Sequence, residues 1–302
     1  MAIPHSLPAT ATSARPRPRR LSWERVQHQA TERALDLLLL VLVAFMVAPV
    51  VFLLLSSFKT RSEVTAGSDV LPAVWQFQNY PDMWARVHFG TYLLNSLIIC
   101  GSATLVATFL ASLTGYALAR FRFPFADAFS LTALGTQLIP GTLFLIPLFL
   151  TFLTIKNATG VPLVGSNFGA IVLYIGFFLP MSLFILRSFF AAIPVDLEEQ
   201  AMVDGCTRFG AFWRVALPLA APGLVSTAVY VFLTAWDELV FAWVLNVQTI
   251  PVGIRLFTGV AGAQNRYELM SAAAVVVTLP VALTFFVLQK RFVSGLTAGA
   301  VK

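Results

Sequence analysis

Charged side chains are scarce in this 302-residue sequence, which contains 20 lysines and arginines and 14 aspartates and glutamates. They make up 11% of the chain, against about 25% in an ordinary soluble protein. The mean hydropathy is correspondingly high, at +0.81. A soluble fold with so few charges could not cover its own surface with polar groups. The composition therefore excludes a soluble domain as the main body of the chain.

Two features that would indicate chemistry are also missing or nearly so. The sequence has 2 cysteines, Cys100 in a long apolar run and Cys206 in a charged segment. Their different depths favour ordinary small residues over a disulfide or a metal pair. The sequence also lacks the Gly-x-x-x-x-Gly-Lys-Ser/Thr loop that cradles phosphates. We therefore expect no catalytic residue, no metal site and no cofactor in this chain, and no ATP binding by it.

Long apolar runs are what the sequence has in abundance. Six of them have about the 20 residues that are needed to cross a hydrocarbon core of about 30 Å. They lie at 37–56, 93–113, 129–151, 168–186, 222–245 and 269–288. The sequence therefore predicts an all-α, polytopic membrane protein with six transmembrane helices. In the third run, Pro140, Gly141 and Pro147 predict a bend, which is either an ordinary feature of membrane helices or a hinge that lines a pathway.

The basic residues indicate how these helices are oriented. With the N-terminus in the cytoplasm, fourteen of the 20 lysines and arginines fall on the cytoplasmic side. We therefore expect both termini in the cytoplasm. Residues 1–33 form the predicted N-terminal tail, largely disordered, which is too long for the leader of a cleaved signal peptide. The net charge of +6 follows from this distribution, so nucleic acid is not needed as a partner.

A compact charged segment at 194–218 separates the fourth and fifth runs. Three acidic residues suit the N-terminal end of a short helix over 194–204, which Gly205 ends. Thr207 is the predicted cap of a second short helix, which runs to Pro218. A solvated loop explains the charges of this segment but not its aromatic residues, and an interfacial helix explains the aromatic residues but not the acidic ones. A docking element for a soluble partner explains both.

This segment resembles the coupling motif of ABC importer permeases, Glu-Ala-Ala-x-x-x-Gly with a hydrophobic-x-Leu-Pro end. "EQAMVDG" is followed after nine residues by "VALP". The motif positions are filled by Glu199, Ala201, Gly205, Val215, Leu217 and Pro218, and Gln200 stands in place of the usual first Ala. "SFKT", "NSL", "GYALARFRFP", "TAWDEL" and "SGLTAGAVK" resemble the MalG-like carbohydrate permeases of that family. The resemblance covers roughly residues 35–302.

The resemblance implies a type I ABC importer transmembrane fold over residues 34–302 in the inner membrane of a prokaryote. It implies a permease that forms half of the translocation path for a carbohydrate: an oligosaccharide, a disaccharide or a related polyol. The implied partners are a homologous second permease, two copies of a cytoplasmic ATPase that binds ATP and Mg, and an extracytoplasmic solute-binding protein. The residues expected to couple to the ATPase are Leu197, Glu199, Ala201, Met202, Gly205, Leu217 and Pro218.

Polar residues within the runs are candidates for the translocation path, because charges at membrane depth are costly and face a cavity or a partner. These candidates are Asn95, Gln137, Trp236, Asp237 and Glu238. Asp237 and Glu238 lie about 22 Å beyond Pro222 at a rise of about 1.5 Å per residue. There they line or gate the path, pair with a neighbouring helix, or lie beyond a span whose boundary is set differently. Asn95 is alternatively an interfacial or capping residue. A secondary transporter that uses these carboxylates for ion coupling is an alternative, but it leaves the charged segment unexplained. A non-transporting scaffold is the third alternative.

Overall fold

The computed structural model describes residues 21–67, 69–121, 124–259 and 264–300, and within them the chain is helical, with no strand. The longer helices are α1 (Leu21–Ser56), α4 (Phe89–Arg120), α5 (Ala126–Thr136), α6 (Leu145–Thr159), α7 (Asn167–Ala192), α11 (Ala221–Trp236) and α14 (Tyr267–Ala300). The shorter ones are α2 (Arg61–Ala66), α3 (Asn79–Arg86), α8 (Asp196–Val203), α9 (Arg208–Ala211), α10 (Leu217–Leu219), α12 (Val240–Val244) and α13 (Ile250–Arg255).

The chain divides into two compact units, Met1–Phe52 and Leu53–Lys302. The first unit is described from Leu21 onward and consists of the greater part of α1. The first 20 residues of the predicted tail lie outside the described residues, whereas 21–33 are helical. The second unit contains the end of α1 and all the other helices.

Five helical segments of the described chain are long and apolar enough to cross a membrane: Thr31–Ser56, Phe89–Arg120, Gly141–Thr159, Asn167–Ala192 and Tyr267–Val287. A pair of helical segments, Arg208–Leu219 and Ala221–Trp236, passes the same test together and is bent by 73° at the break between them. If this bent pair counts as one span, the total is the predicted six.

Two of the predicted spans are not continuous helices in the structure. The run at 129–151 is not one helix, because α5 ends at Thr136 and α6 begins only at Leu145, after a 3-10 turn at Gly141–Phe144. The break lies at Pro140, which lacks the N–H that a continuous helix needs. The run at 222–245 ends as a helix at Trp236, because the Glu238 carboxylate accepts the N–H groups of residues 240, 241 and 242 and starts α12 instead.

The centre of the second unit is the packing of α4 against α7. Ala103, Ala107 and Ala111 are fully buried on one face of α4, and Gly115 continues the same spacing of four residues. Small residues on such a face let helix backbones approach closely. A Cβ placed on Gly115 would lie only 2.9 Å from the backbone nitrogen of Arg187 on α7.

Contacts at the helix ends give the directions of these helices. Asn167 Nδ2 at the start of α7 donates to Asn95 Oδ1 near the start of α4, at 2.8 Å, and the two helices meet again near their ends at Gly115. They therefore run parallel. The α11 helix runs in the opposite direction, because Gly223 near its start approaches Phe189 near the end of α7. Segment 196–219 therefore lies at the end of the second unit where α4 and α7 finish.

The chain between α1 and α4 forms an ordered cap at the other end. Thr60 N–H donates to Glu63 Oε2 at 2.7 Å, and Ala73 N–H donates to Glu63 Oε1 at 2.7 Å. Thr60 and Glu63 complete a capping box at the start of α2. The hydrogen bonds that the Glu63 carboxylate accepts, most of all those from Thr60 and then the one from Ala73, lower the pKa of this carboxyl below its ordinary value. The carboxylate therefore holds this cap together at neutral pH, and the stabilisation is lost as the pH falls through the lowered pKa.

Candidate functional site

The charged segment begins with α8, whose first turn carries Asp196, Glu198 and Glu199. These acids stabilise the positive end of the helix dipole. The helix ends at Val203, and Cys206 N–H donates to Ala201 O at 2.9 Å to close the turn. The predicted helix over 194–204 is confirmed, although it starts two residues later than expected.

Gly205 makes the turn that follows α8, as its sequence position predicts. Its φ is +91°, a left-handed conformation that residues with a side chain rarely adopt. A Cβ placed there would meet nothing within 4 Å. A larger residue at this position would therefore strain the backbone, whereas the space around it in this chain is open.

The second short helix, α9, is capped by Thr207 as predicted, and the Thr207 hydroxyl accepts a hydrogen bond from the N–H of Gly210 at 3.0 Å. The chain then widens into a π-helical turn at Phe212–Ala216, in which Leu217 N–H bonds to Phe212 O. The widened turn ends two residues before Pro218, whose ring would clash with the carbonyl four residues earlier in a regular helix. The predicted break at Pro218 is wrong by two residues, because the helix continues through Leu219 and the break lies at Ala220.

Glu198 points inward and ties α8 to α4. Arg120 Nε donates to Glu198 Oε1 at 2.7 Å, and Tyr116 O–H donates to Glu198 Oε2 at 2.6 Å. Arg120 Nη2 also donates to the carbonyl of Ile193, the residue that directly follows α7, at 2.9 Å. The side chains of Arg120 and Glu198 are only 8% and 6% exposed. Three helices therefore meet at one buried ion pair.

Neither partner of this pair was selected from the sequence, in which Glu199 was expected to couple instead. Helical spacing does not separate the two carboxylates, because residues three and four apart share a face and both acids have apolar residues there: Ala201 and Met202 for Glu198, Met202 and Val203 for Glu199. Only in the structure do they differ, since Ala201 and Met202 are partly buried and Val203 is 88% exposed. Arg120 has no local signal either, since it lies 78 residues away from Glu198 in the chain.

The outward side of the segment is apolar at its centre and charged at its edge. Its exposed large apolar side chains are Val195, Leu197, Val203, Phe209, Trp213 and Leu219. Asp196, Glu199 and Asp204 are exposed among them. Within the described residues no partner is found for the Glu199 carboxylate. Of the other positions expected to couple, Leu217 is partly buried and Pro218 is exposed. This surface, residues 195–219, has the composition of a protein interface.

The five candidates for the translocation path do not form one site, and no hydrogen bond between described residues joins any two of them. Asn95 bonds to Asn167 and donates through Nδ2 to the carbonyl of Gln248 at 3.1 Å. Gln137 donates to the carbonyl of Phe177 at 3.4 Å and lines a cavity of about 260 Å³ between α5, α6 and α7. Both candidates thus have partners among other residues.

The other three candidates lie at the end of α11. Trp236 is buried and stacks on Phe232, with ring centroids 5.4 Å apart, and its indole N–H finds no hydrogen-bond partner among the described residues. Glu238 is fully engaged, because it accepts three backbone N–H groups and the hydroxyl of Tyr174 at 2.9 Å. Asp237 is exposed. The described residues contain no group of three or more His, Cys, Asp or Glu side chains placed to hold a metal ion.

Comparison with known proteins shows a match to a protein family. Residues 107–297 match the family described as "Binding-protein-dependent transport system inner membrane component". The chain is 36% identical over 267 residues to the diacetylchitobiose uptake system permease protein DasC of Streptomyces coelicolor, covering 87% of this chain and 94% of that protein. It is also 36% identical over 264 residues to the trehalose transport system permease protein SugB of Mycobacterium tuberculosis, covering 86% and 94%.

A solved structure shows the same fold. It is described as a bacterial ABC transporter involved in the import of the acidic polysaccharide alginate. The TM-score is 0.72, and the match covers 92% of this chain and 100% of that one. At 20% sequence identity the likeness is one of fold alone.

Proposed function

Because the chain belongs to the family of binding-protein-dependent transport system inner membrane components, we propose that it forms half of the membrane pathway of an ATP-driven carbohydrate importer. The fold is the all-α, six-span transmembrane fold of type I ABC importers. The two relatives are named for uptake of diacetylchitobiose and for transport of trehalose. Both are disaccharides, so an oligosaccharide, a disaccharide or a related polyol is the proposed substrate class.

The observation on which this proposal depends is the two-sided construction of segment 196–219. Its inner side is fastened to α4 by the Arg120–Glu198 pair, and its outer side exposes apolar residues with acids around them. Such a surface suits a soluble partner that buries the apolar centre and pairs with the charges. We infer that the partner is a cytoplasmic ATPase, present in two copies, which binds ATP and Mg.

Each coupling residue has a proposed task on this surface. Glu199 forms an ion pair with a basic side chain of the ATPase, and Leu197 makes an apolar contact with the ATPase. Ala201 and Met202, which are partly buried, hold α8 against the rest of the chain. Gly205 permits the turn between the two short helices. Leu217 and Pro218 precede the break at which α11 begins.

The proposed importer also contains a homologous second permease and an extracytoplasmic solute-binding protein that delivers the substrate. Of the path candidates, Asp237 has an exposed carboxylate that is available for sugar hydroxyl groups. Both oxygens of Glu238 are engaged in holding α12 and Tyr174. We therefore propose Asp237 rather than Glu238 for contact with the substrate, with Asn95, Gln137 and Trp236 as further candidates.

The test is uptake and ATP hydrolysis by the complex reconstituted in liposomes. Gly205→Leu places a side chain on a left-handed backbone, at a cost of about 1–3 kcal/mol, and Glu199→Lys reverses the exposed charge. Both variants should insert normally but take up less carbohydrate per ATP hydrolysed. Gly160→Leu is the matched control, because Gly160 has a φ of +75° and equally open surroundings at the end of α6.

Two results would contradict the proposal. The first is transport at the parent rate with normally coupled hydrolysis in both Gly205→Leu and Glu199→Lys. The second is uptake that persists when the ATPase is inactivated and collapses with an ion gradient, which would indicate a secondary transporter.

A further inference from the structure

We propose that Arg120, Glu198 and Tyr116 form a rigid strut that makes α8 and α4 move as one body. Motion of the ATPase, applied to α8, then reaches the membrane pathway directly through α4 as well as along the chain to α11. The inference rests on the proposed function, because it requires that an ATPase docks on segment 196–219. It assigns a positioning role to three residues that lie behind the docking surface and do not touch the partner.

The chain alone does not hold α8 rigidly. Residues 193–195 are non-helical and separate α8 from α7. At its other end, α8 is followed by the turn at Gly205, with a φ of +91°. Each connection is a point at which φ and ψ can change, which is what a hinge requires. Without a side-chain link, α8 could rotate at both ends while α4 stayed in place.

The side-chain link is strong enough to remove that freedom. Arg120 and Glu198 are both buried, and the bonds of Glu198 to Arg120 and Tyr116 measure 2.7 and 2.6 Å. Charge-assisted hydrogen bonds of this length are stronger than neutral ones, and a low local dielectric strengthens them further. The guanidinium also holds the carbonyl of Ile193 at the end of α7. Arg120 therefore fixes α7 and α8 to α4 at the same point.

Aromatic packing extends the strut toward α11. The Tyr116 ring lies 5.5 Å from that of Phe190 on α7 and 4.7 Å from that of Phe212 in the π-helical turn, between ring centroids. Phe190 and Phe212 are both buried. A displacement of Glu198 therefore acts on Tyr116, which cannot move without moving its neighbours, because close-packed interiors transmit strain.

The test is a double-variant cycle in the reconstituted complex, with uptake per ATP hydrolysed as the readout. Glu198→Gln and Arg120→Gln should each lower this ratio at least about fivefold, the lower end of measured coupling between sites. The double variant should have a ratio no lower than that of either single variant, because each of the three variants breaks the same link. The double variant also leaves no unpaired buried charge. Asp127→Asn is the matched control, since it breaks the exposed Arg187–Asp127 pair at the same end of the molecule.

Tyr116→Phe serves as a milder variant if the glutamine variants fail to assemble. It removes one hydrogen bond to Glu198 and keeps the ring against its aromatic neighbours, so the ratio should fall to an intermediate value while co-purification with the ATPase is unchanged. An unchanged ratio in the assembled variants, or effects of Glu198→Gln and Arg120→Gln that simply add, would overturn the strut. A parent complex that takes up no carbohydrate would overturn the proposed function and the strut together.

Discussion

At the scale of single residues, the molecule twice places two carboxylates side by side and gives them different surroundings. Glu198 is buried against Arg120, whereas its neighbour Glu199 is exposed. Glu238 binds backbone N–H groups, whereas its neighbour Asp237 is exposed. Glu198 and Glu199 are adjacent residues of α8, whose side chains point about 100° apart, whereas Asp237 and Glu238 lie in the turn between α11 and α12. In each pair one carboxylate turns toward the protein and the other away from it. Each inner carboxylate holds elements together, and each outer one is exposed, with no partner found among the described residues.

The pair at the end of α11 offers a direct test of this division. Glu238→Ala should lower the free energy of unfolding by about 2 kcal/mol, because it leaves three N–H groups of α12 and the Tyr174 hydroxyl without their acceptor. Asp237→Ala should leave stability unchanged but alter the rate of carbohydrate uptake. Thermal unfolding of the purified complex and uptake assays measure the two effects. Equal stability of the two variants would contradict the capping role of Glu238.

At the scale of elements, local signals were predictable from the sequence and distant contacts were not. Thr207 caps α9 and Gly205 makes the turn after α8, as predicted, because both features depend on neighbouring backbone atoms. The end of α11 at Trp236 was not predicted, because apolar residues continue beyond it in the sequence. The helix ends there because Glu238 caps the start of α12 instead. The Arg120–Glu198 pair was missed because only the packing of α4 beside α8 brings those residues together.

The packing of α4 against α7 can be tested with two glycines of the same helix. Gly115→Ala should lower the free energy of unfolding by about 1–3 kcal/mol through overpacking, because its Cβ would lie 2.9 Å from the backbone nitrogen of Arg187. Gly101→Ala is the control and should cause no loss, since its Cβ would meet nothing within 4 Å. Thermal unfolding in detergent measures both. A loss for Gly101→Ala that matched the loss for Gly115→Ala would show that backbone propensity, and not close approach, sets the effect.

At the scale of the whole molecule, the two ends of the second unit have different constructions. One end carries the docking surface and the buried ion pair beneath it. The other end carries the capping box of Glu63 and an aromatic cluster in which the ring centroid of Phe58 lies 5.5 Å from those of Trp75 and Tyr80. The proposed importer needs such a difference, because its ATPase is cytoplasmic and its solute-binding protein is on the other side. The family match supports a multi-pass membrane protein, and the distribution of charge predicts which end is which.

We predict that segment 196–219 and both termini face the cytoplasm, while the cap between α1 and α4 faces outward. The reason is that this orientation leaves fourteen of the 20 lysines and arginines inside, as the positive-inside rule requires. Single cysteines at Val203 and Val74, which are 88% and 57% exposed, test it in a Cys206→Ser background. Cys100 is buried and should not react. In cells that express the chain without its partners, an impermeant thiol reagent should label Val74→Cys from outside and reach Val203→Cys only after the membrane is opened. Labelling of Val203→Cys in intact cells would show that the orientation is the opposite one. The docking surface would then lie on the outer side of the membrane, where ATP is not available to a partner ATPase.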